Sequence, residues 1–328
     1  MRPLKIVLAT PGNSRLPTGN RVTARRWAGI LRGLGHGVSV VPEWHGGAGD
    51  LLVALHARKS FESIDRFRRE RPGAPLVVAM TGTDLYGDIR TSARARRSLA
   101  LATRVVVLQP EGLRELSPPV RAKATVVFQS AVPPPRPPAP RPDAFEICLL
   151  CHARPVKDPF RAAQAARRLP ASSRVRLLHV GAALDPGTAR RARDEARRNP
   201  RYRWLGALPR GRALRVLARS RLLVVTSRLE GGSNALSEAL ACDVPVLSSR
   251  IPGIVGTLSR GYPGYFPVGD TRALTRLMRR AETDHAFYAR LKRWCRERAH
   301  LVAPAAERRV WAGLLRELLP PGRSPTGR

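Results

Sequence analysis

The sequence predicts an α/β protein of two doubly wound parallel-sheet domains facing a cleft, with helices at the C-terminal end. Three observations carry this expectation. Short apolar runs alternate with amphipathic helical patterns through the first half of the chain. The same alternation resumes after a proline-dense interruption, and the chain then turns wholly helical. A length of 328 residues with 43% hydrophobic content suffices for two cores.

Taken in order, KIVLAT (5–10) is a continuous apolar run, as expected of a parallel strand covered on both faces. The loop PGNSRLPTGN (11–20) leads into a helix over 21–34. There Trp27, Ile30, Leu31 and Leu34 fall at i, i+3, i+4 and i+7, and Gly35 and Gly37 close the helix. Further strands are predicted at 38–41, 51–55, 76–80, 104–108 and 125–128, with helices near 61–70 and 92–101. The segment VPPPRPPAPRPD (132–143) has too much proline for helix or central sheet and reads as a semi-rigid linker. Beyond it, strands are predicted at 145–150, 175–180, 202–205, 222–226 and 245–247, and helices at 159–169, 187–198, 210–218 and 233–241. Helices over 271–282, 284–300 and 305–319 follow Asp270. The expected organisation is a first domain over 1–132, a linker over 133–143 and a second domain over 144–302. A helix over 303–319 packs back on the first domain, and a tail over 320–328 is disordered.

Charge is the outlier of the composition. There are 59 basic and 24 acidic residues, a net charge of +35, and Lys occurs only at positions 5, 59, 123, 157 and 292, so 54 of the 59 are Arg. Much of this Arg belongs to a general Arg, Ala, Pro and Gly bias and coats helix faces, as at Arg190, Arg191, Arg193, Arg197 and Arg198. The resulting field attracts anions. The basic residues are spread through the chain, with no basic tail and few aromatics for base stacking. That pattern argues against nucleic acid and for an anionic small substrate.

Four cysteines do not make a disulfide framework. Cys148, Cys151 and His152 spell C-x-x-C-H, a haem attachment pattern, but they lie in FEICLLCH, which reads as a buried strand. Positions three apart on a strand face opposite ways, so the two thiols do not share a cofactor. KIVLAT is too short for a signal-peptide core, and no apolar run approaches the ~20 residues that span a bilayer. The expectation is a cytoplasmic protein without stable membrane insertion.

The chemistry concentrates in TSRLEGGSNALSEALACDVPVLSSRIPG (226–253). A strand exit, the glycines Gly231 and Gly232, and a helix capped by Ser233 or Asn234 make an anion site, because unpaired N–H groups and the helix dipole point outward. Glu230 precedes that helix and Glu238 lies inside it, with seven residues between them. Carboxylates so placed suit sugar or ribose hydroxyls, so the stretch suggests a nucleotide sugar.

Glu230-Gly231-Gly232 through Glu238, with Pro245 and the Pro252-Gly253 turn, resembles the E-x7-E region of retaining family 4 glycosyltransferases, which have the two-lobed GT-B architecture. A narrower resemblance covers nearly the whole chain. TGNRVTARRWAGILRGLGH (18–36), DLLVALHARKS (50–60), PLVVAMTGTDLY (75–86), RPVKDPFRAAQAARRLP (154–170), NPRYRWLGALPR (199–210) and SRLEGGSNALSEAL (227–240) look like the SenB-type selenosugar synthases of bacterial selenoneine biosynthesis. The resemblance implies transfer of the sugar of a UDP-sugar, typically UDP-N-acetylglucosamine, to selenium from selenophosphate. UDP and phosphate are released, no metal or other cofactor takes part, and a selenophosphate synthetase and a selenoneine synthase are functional partners. A nucleophile that arrives already ionised needs little general-base help, in keeping with a sequence that displays no Ser/His/Asp set.

The same resemblance implies roles for residues. Glu238 takes the ribose hydroxyls and Glu230 the sugar hydroxyls near the reacting centre. The N–H groups of Gly232, Ser233 and Asn234 hold the diphosphate beside Gly231. Arg154 and Lys157 match the basic pair that neutralises the leaving diphosphate, although RPVKDP departs slightly from the commoner spacing. The segment from Leu205 to Arg210 cradles the uracil, mostly through backbone groups. In the first domain Gly19, Asn20 and Arg21 form a second anion-ready helix start, for the donor phosphates or for selenophosphate. His56, Arg58, Lys59, Thr81, Thr83 and Asp84 follow strand ends. His56 reads equally as a functional or a hydrogen-bonded structural residue, and Asp84 as a stabiliser of positive charge on the sugar or as a helix cap. Two other readings stand beside this one: a family 4 transferase acting on a hydroxyl of a lipid or small metabolite, and a polyanion binder that uses the net charge.

Overall fold

A computed structural model describes residues 3–12 and 18–319. The predicted tail over 320–328 and the middle of the predicted loop over 11–20 lie outside the described residues. The chain forms two compact units. One spans the positions up to Gln129 together with those from Pro304 onward, and the other spans Ser130–Ala303.

The first unit runs β1 (Lys5–Ala9), α1 (Gly19–Gly33), β2 (Gly37–Val41), β3 (Leu51–Leu55), α2 (Phe61–Glu70), β4 (Leu76–Met80), α3 (Ile89–Thr91), α4 (Ala93–Leu101), β5 (Arg104–Val107), α5 (Pro118–Ala122) and β6 (Ala124–Val126). Its six strands lie in the order β2-β1-β3-β4-β5-β6, and every pair is parallel. β3 and β4 are buried at every position, which is why they read as unbroken apolar runs. Alternate residues face opposite layers. Ile6, Leu8, Val53 and Leu55 meet Trp27 and Leu31 of α1, whereas Val7, Leu52, Val78 and Met80 meet Ile64 and Phe67 of α2 and Leu99 of α4. Each such large side chain, once buried, contributes about 1.5–3 kcal/mol. The segment between β4 and α4 is more helical than its sequence suggests, because Asp84–Asp88 make a wide π turn before α3.

The second unit runs β7 (Phe145–Leu150), α6 (Pro159–Arg167), β8 (Val175–Val180), α7 (Pro186–Arg198), β9 (Tyr202–Gly206), α8 (Arg210–Arg219), β10 (Leu222–Val225), α9 (Asn234–Ala241), β11 (Val246–Ser249), α10 (Pro252–Leu258), β12 (Tyr265–Phe266), α11 (Thr271–Thr283) and α12 (His285–Arg298). The strand order is β12-β11-β10-β7-β8-β9, again with every pair parallel. Residues 127–144, which include the proline-dense segment, carry no helix or strand. The expected Pro252-Gly253 turn is instead the first turn of α10. Proline at the first helical position loses no hydrogen bond there, and its fixed φ suits the helix.

Cys148 is buried within β7, and Cys151 follows the strand and is half-buried. Burial pushes the Cys148 thiol well above its ordinary value and that of Cys151 up to about 12, so both are inert neutral thiols. His179 in β8 is fully buried between the Tyr202 hydroxyl, 2.7 Å from Nδ1, and the Cys151 carbonyl, 3.0 Å from Nε2. Burial lowers its pKa to about 4, which makes it a neutral structural link between β7, β8 and β9.

The chain closes with α13 (Pro304–Leu318), which belongs to the first unit. Trp311 is fully buried and meets Trp27 edge-on, with ring centroids 4.9 Å apart. Glu307, 1% exposed, accepts the Trp27 indole N–H at 2.7 Å and the Arg26 Nε–H at 3.0 Å. A buried carboxylate without such partners costs several kcal/mol, roughly 3–5, so the pair also fixes the register of the helix.

Candidate active site

In a parallel sheet all strands end on one edge, and ligands bind where the strand order reverses. In the second unit β8 and β9 extend from one side of β7 while β10 lies on the other. The reversal falls between β7 and β10, and the loops leaving these two strands carry Arg154 to Lys157 and Thr226 to Ser233. Four hydrogen bonds join the two loops. Arg228 N–H donates to the Val156 carbonyl at 2.8 Å, and the Thr226 hydroxyl donates to the Lys157 carbonyl at 2.9 Å. The Lys157 ammonium then donates to both Glu230 oxygens, at 2.6 and 2.7 Å.

Glu230 is 8% exposed and Lys157 26%, so the pair is shielded but reachable. The Ser227 hydroxyl, itself buried, donates to Glu230 Oε1 at 2.7 Å. Gly253 packs directly on the Glu230 backbone: a Cβ there would stand 1.9 Å from the Glu230 carbonyl oxygen, so only glycine lets α10 approach. Arg154 is exposed at the end of the same β7 loop and has no ion-pair partner among the described residues. Since Glu230 holds Lys157, Arg154 is the uncompensated cation of this corner.

Ser233, and not Asn234, caps α9, with its hydroxyl accepting from Leu236 N–H at 3.3 Å. Gly231 is buried and Gly232 and Asn234 are half-buried in the turn that enters the helix. Glu238 lies two turns from the Glu230 end, 9% exposed, with Oε1 2.9 Å from an Arg210 guanidinium nitrogen at the start of α8. Leu205 is half-buried in β9, at the far edge of the sheet from β10, just before Gly206. Trp204 donates its indole N–H to the Gly181 carbonyl at 2.8 Å and packs on the core, which accounts for it structurally.

The first unit has its own reversal, between β1 and β3. His56 sits at the end of β3 in the left-handed region, φ 77°, a conformation that costs a non-glycine residue about 1–3 kcal/mol. Its neighbours hold it there: His56 N–H donates to Ala79, and its carbonyl accepts from Ser60. Asp84 is fully buried and accepts four backbone N–H groups, from Ala57, Thr81, Gly82 and Leu85, at 2.8–3.1 Å. It therefore clamps the β3 and β4 loops together. That is the geometry of a positioning residue, not of one that meets a sugar. His56 Nδ1 accepts from Lys59 N–H at 3.4 Å, and its Nε2 lies 3.0 Å from the Thr83 hydroxyl. Burial lowers its pKa, against the pull of Asp84, so a neutral imidazole protonated on Nε2 fits both contacts. Arg58 pairs with Asp88 at 2.9 Å, and Arg58, Lys59 and Thr83 are exposed. Thr81 is half-buried beside them. At the β1 side, Thr18 caps α1 by accepting from Arg21 N–H at 3.4 Å, with Gly19 exposed and Asn20 and Arg21 half-buried.

In each unit most candidate residues lie on the loops at or next to the reversal point; Thr81, Thr83 and Asp84 follow the adjoining strand β4, and Leu205 stands apart at the sheet edge. The residues that sequence reasoning passes over are Ser227 and Asp88, and for Arg210, expected only as the end of the uracil segment, the pairing with Glu238. A short hydroxyl residue three positions before a motif glutamate is the one signal that would single out Ser227. Among the described residues no group of three or more His, Cys, Asp or Glu side chains is placed to hold a metal ion, and no helix is long and apolar enough to cross a membrane.

Two doubly wound parallel six-stranded units in one chain, with the last helix returned to the first, are the GT-B fold. Residues 136–298, nearly all of the second unit, match the family model described as glycosyl transferases group 1. Solved structures agree on the fold. HepE of Anabaena, crystallised with UDP, matches with a TM-score of 0.76 at 15% identity over 96% of this chain and 100% of its own. The same protein crystallised with UDP-glucose matches with a TM-score of 0.75 at 15% identity, with the same coverage. Sucrose-phosphate synthase of Thermosynechococcus elongatus matches with a TM-score of 0.76 at 17% identity over 97% of this chain and 99% of its own.

Proposed function

We propose that this chain is a selenosugar synthase, a UDP-sugar-dependent glycosyltransferase that moves the sugar, N-acetylglucosamine by resemblance, onto selenium from selenophosphate: the C–Se bond forms as the C–O bond to UDP breaks, and water takes the phosphoryl group as the P–Se bond breaks. The observation that carries the transferase reading is the Lys157–Glu230 pair at the reversal point of the group 1 unit. It sets a cation for a leaving diphosphate against a carboxylate for sugar hydroxyls. The UDP and UDP-glucose complexes of HepE support the donor class.

In this reading Arg154 and Lys157 face the departing UDP. Fixed cations there lower the barrier because the leaving group gains charge as the C–O bond breaks. The turn Gly231, Gly232, Ser233 and Asn234 holds the diphosphate, Glu238 the ribose, and the backbone from Leu205 the uracil. Gly19 and Asn20 serve the donor phosphates. Asn20, Arg21, His56, Arg58, Lys59, Thr81 and Thr83 hold selenophosphate, with Asp84 fixing the loops that present them. The acceptor assignment rests on sequence resemblance and on the exposed cations Arg58 and Lys59, which suit a small trianion. No metal is required for these contacts.

The test is direct. With UDP-N-acetylglucosamine and selenophosphate, mass spectrometry is expected to find a sugar bearing the selenium isotope pattern, with UDP and phosphate released in equal amounts. UDP-sugar turnover that needs a hydroxyl acceptor, with no selenium product, would contradict the acceptor assignment and leave the donor site intact.

A further inference from the structure

Ser227 is two residues past β10 and 3% exposed, and neither the E-x7-E motif nor the family description assigns it anything. Its side chain has one partner, Glu230 Oε1, at 2.7 Å. Its carbonyl accepts the Ser249 hydroxyl, which locks the residue to the end of β11. Glu230 therefore receives three short hydrogen bonds, one from Ser227 and two from Lys157. The distribution matters. Oε1 takes both Ser227 and Lys157, while Oε2 takes Lys157 alone. Ser227 thereby fixes the carboxylate plane and leaves the Oε2 edge with open acceptor capacity. An ammonium has three donors, and Glu230 uses two of those on Lys157. The third is left for an incoming anion.

We infer that Ser227 is a positioning residue for transfer: it orients Glu230 so that one ion pair serves the sugar hydroxyls through Oε2 and the leaving diphosphate through Lys157. This rests on the donor-site reading above. The pair then couples sugar recognition to leaving-group departure, and Ser227 acts on turnover through Glu230 without touching UDP. Without the serine hydroxyl, the carboxylate keeps only the Lys157 ammonium, which can turn with it on a flexible stem, and both the Oε2 edge and the Lys157 head lose their fixed direction. A hydrogen bond to a charged group is the strong kind, so the loss is sizeable.

The experiment has three arms. UDP titrated into the wild-type chain tests the donor reading by itself; no binding defeats that reading and this inference with it. Given binding, Ser227→Ala is expected to keep UDP affinity within about twofold while turnover of UDP-sugar falls about ten- to thirtyfold. In the Glu230→Gln background the same change is expected to cost less than about twofold more, because its target is already altered. Ser227→Cys, which keeps the size but weakens the donor, carries the same expectation should the alanine variant not fold. Independent losses that multiply, or equal losses in UDP affinity and turnover, overturn the inference. A crystal structure of the variant decides the matter if no UDP-sugar turns over: Glu230 and Lys157 unmoved would overturn it, and a rotated Glu230 would support it.

Discussion

Replacing Lys157 with alanine is expected to lower turnover about 10²–10³-fold, the usual effect of removing one fixed group that stabilises developing charge. Lys157 is the shielded cation where the strand order of the second unit reverses, and its head is held by two short contacts to Glu230. A preorganised charge in a partly water-excluded site acts without reorganising when UDP departs. The exposed Arg154, in more water, does so less well, so Arg154→Ala is expected to weaken UDP binding more than it slows turnover. Lys157→Ala also leaves the buried Glu230 carboxylate with the Ser227 hydroxyl alone, so the variant loses stability too. Measuring turnover at saturating donor separates the two effects. A Lys157→Ala enzyme within threefold of wild type would show that the leaving group is neutralised elsewhere.

The second large effect is on stability. Trp311→Ala is expected to destabilise the first unit by about 3–5 kcal/mol, the range for removing a buried large aromatic. Trp311 is fully buried against Trp27, and Leu314 and Leu315 extend the same contact into the sheet. The helix that carries it is 175 residues beyond Gln129 by sequence (304 minus 129), yet it completes the first core. Calorimetric unfolding with separate transitions for the two units is the measurement. A loss confined to the second unit, or under about 1 kcal/mol, would mean that α13 is an accessory to that core.

Much of the architecture was legible because parallel strands covered on both faces leave unbroken apolar runs. The predicted strands at 51–55, 76–80, 145–150 and 175–180 coincide with β3, β4, β7 and β8. What the sequence hid has physical reasons. Pro252-Gly253 reads as a turn by local chemistry, and only tertiary packing shows that its proline starts α10. The helical stretch from Asp84 is organised around a carboxylate that collects backbone N–H groups, a pattern without periodicity. In the candidate site, Glu230, Glu238 and Lys157 stood out as charges in a glycine-rich setting. Ser227 did not, because a serine after a strand is common and its importance lies in a contact to a residue three positions on. Asp84 was visible but its role was open, and four backbone donors on a fully buried carboxylate decide for positioning.

In the proposed donor site, 226–241 holds the UDP-sugar and Glu238 takes the ribose. Calorimetric titration of UDP into the wild-type chain and into Glu238→Ala tests it most directly. The expected result is saturable binding by wild type and an affinity about ten- to a hundredfold weaker in the variant, the worth of hydrogen bonds to a charged acceptor. Equal affinity in the two proteins, or no UDP binding by wild type, would contradict it.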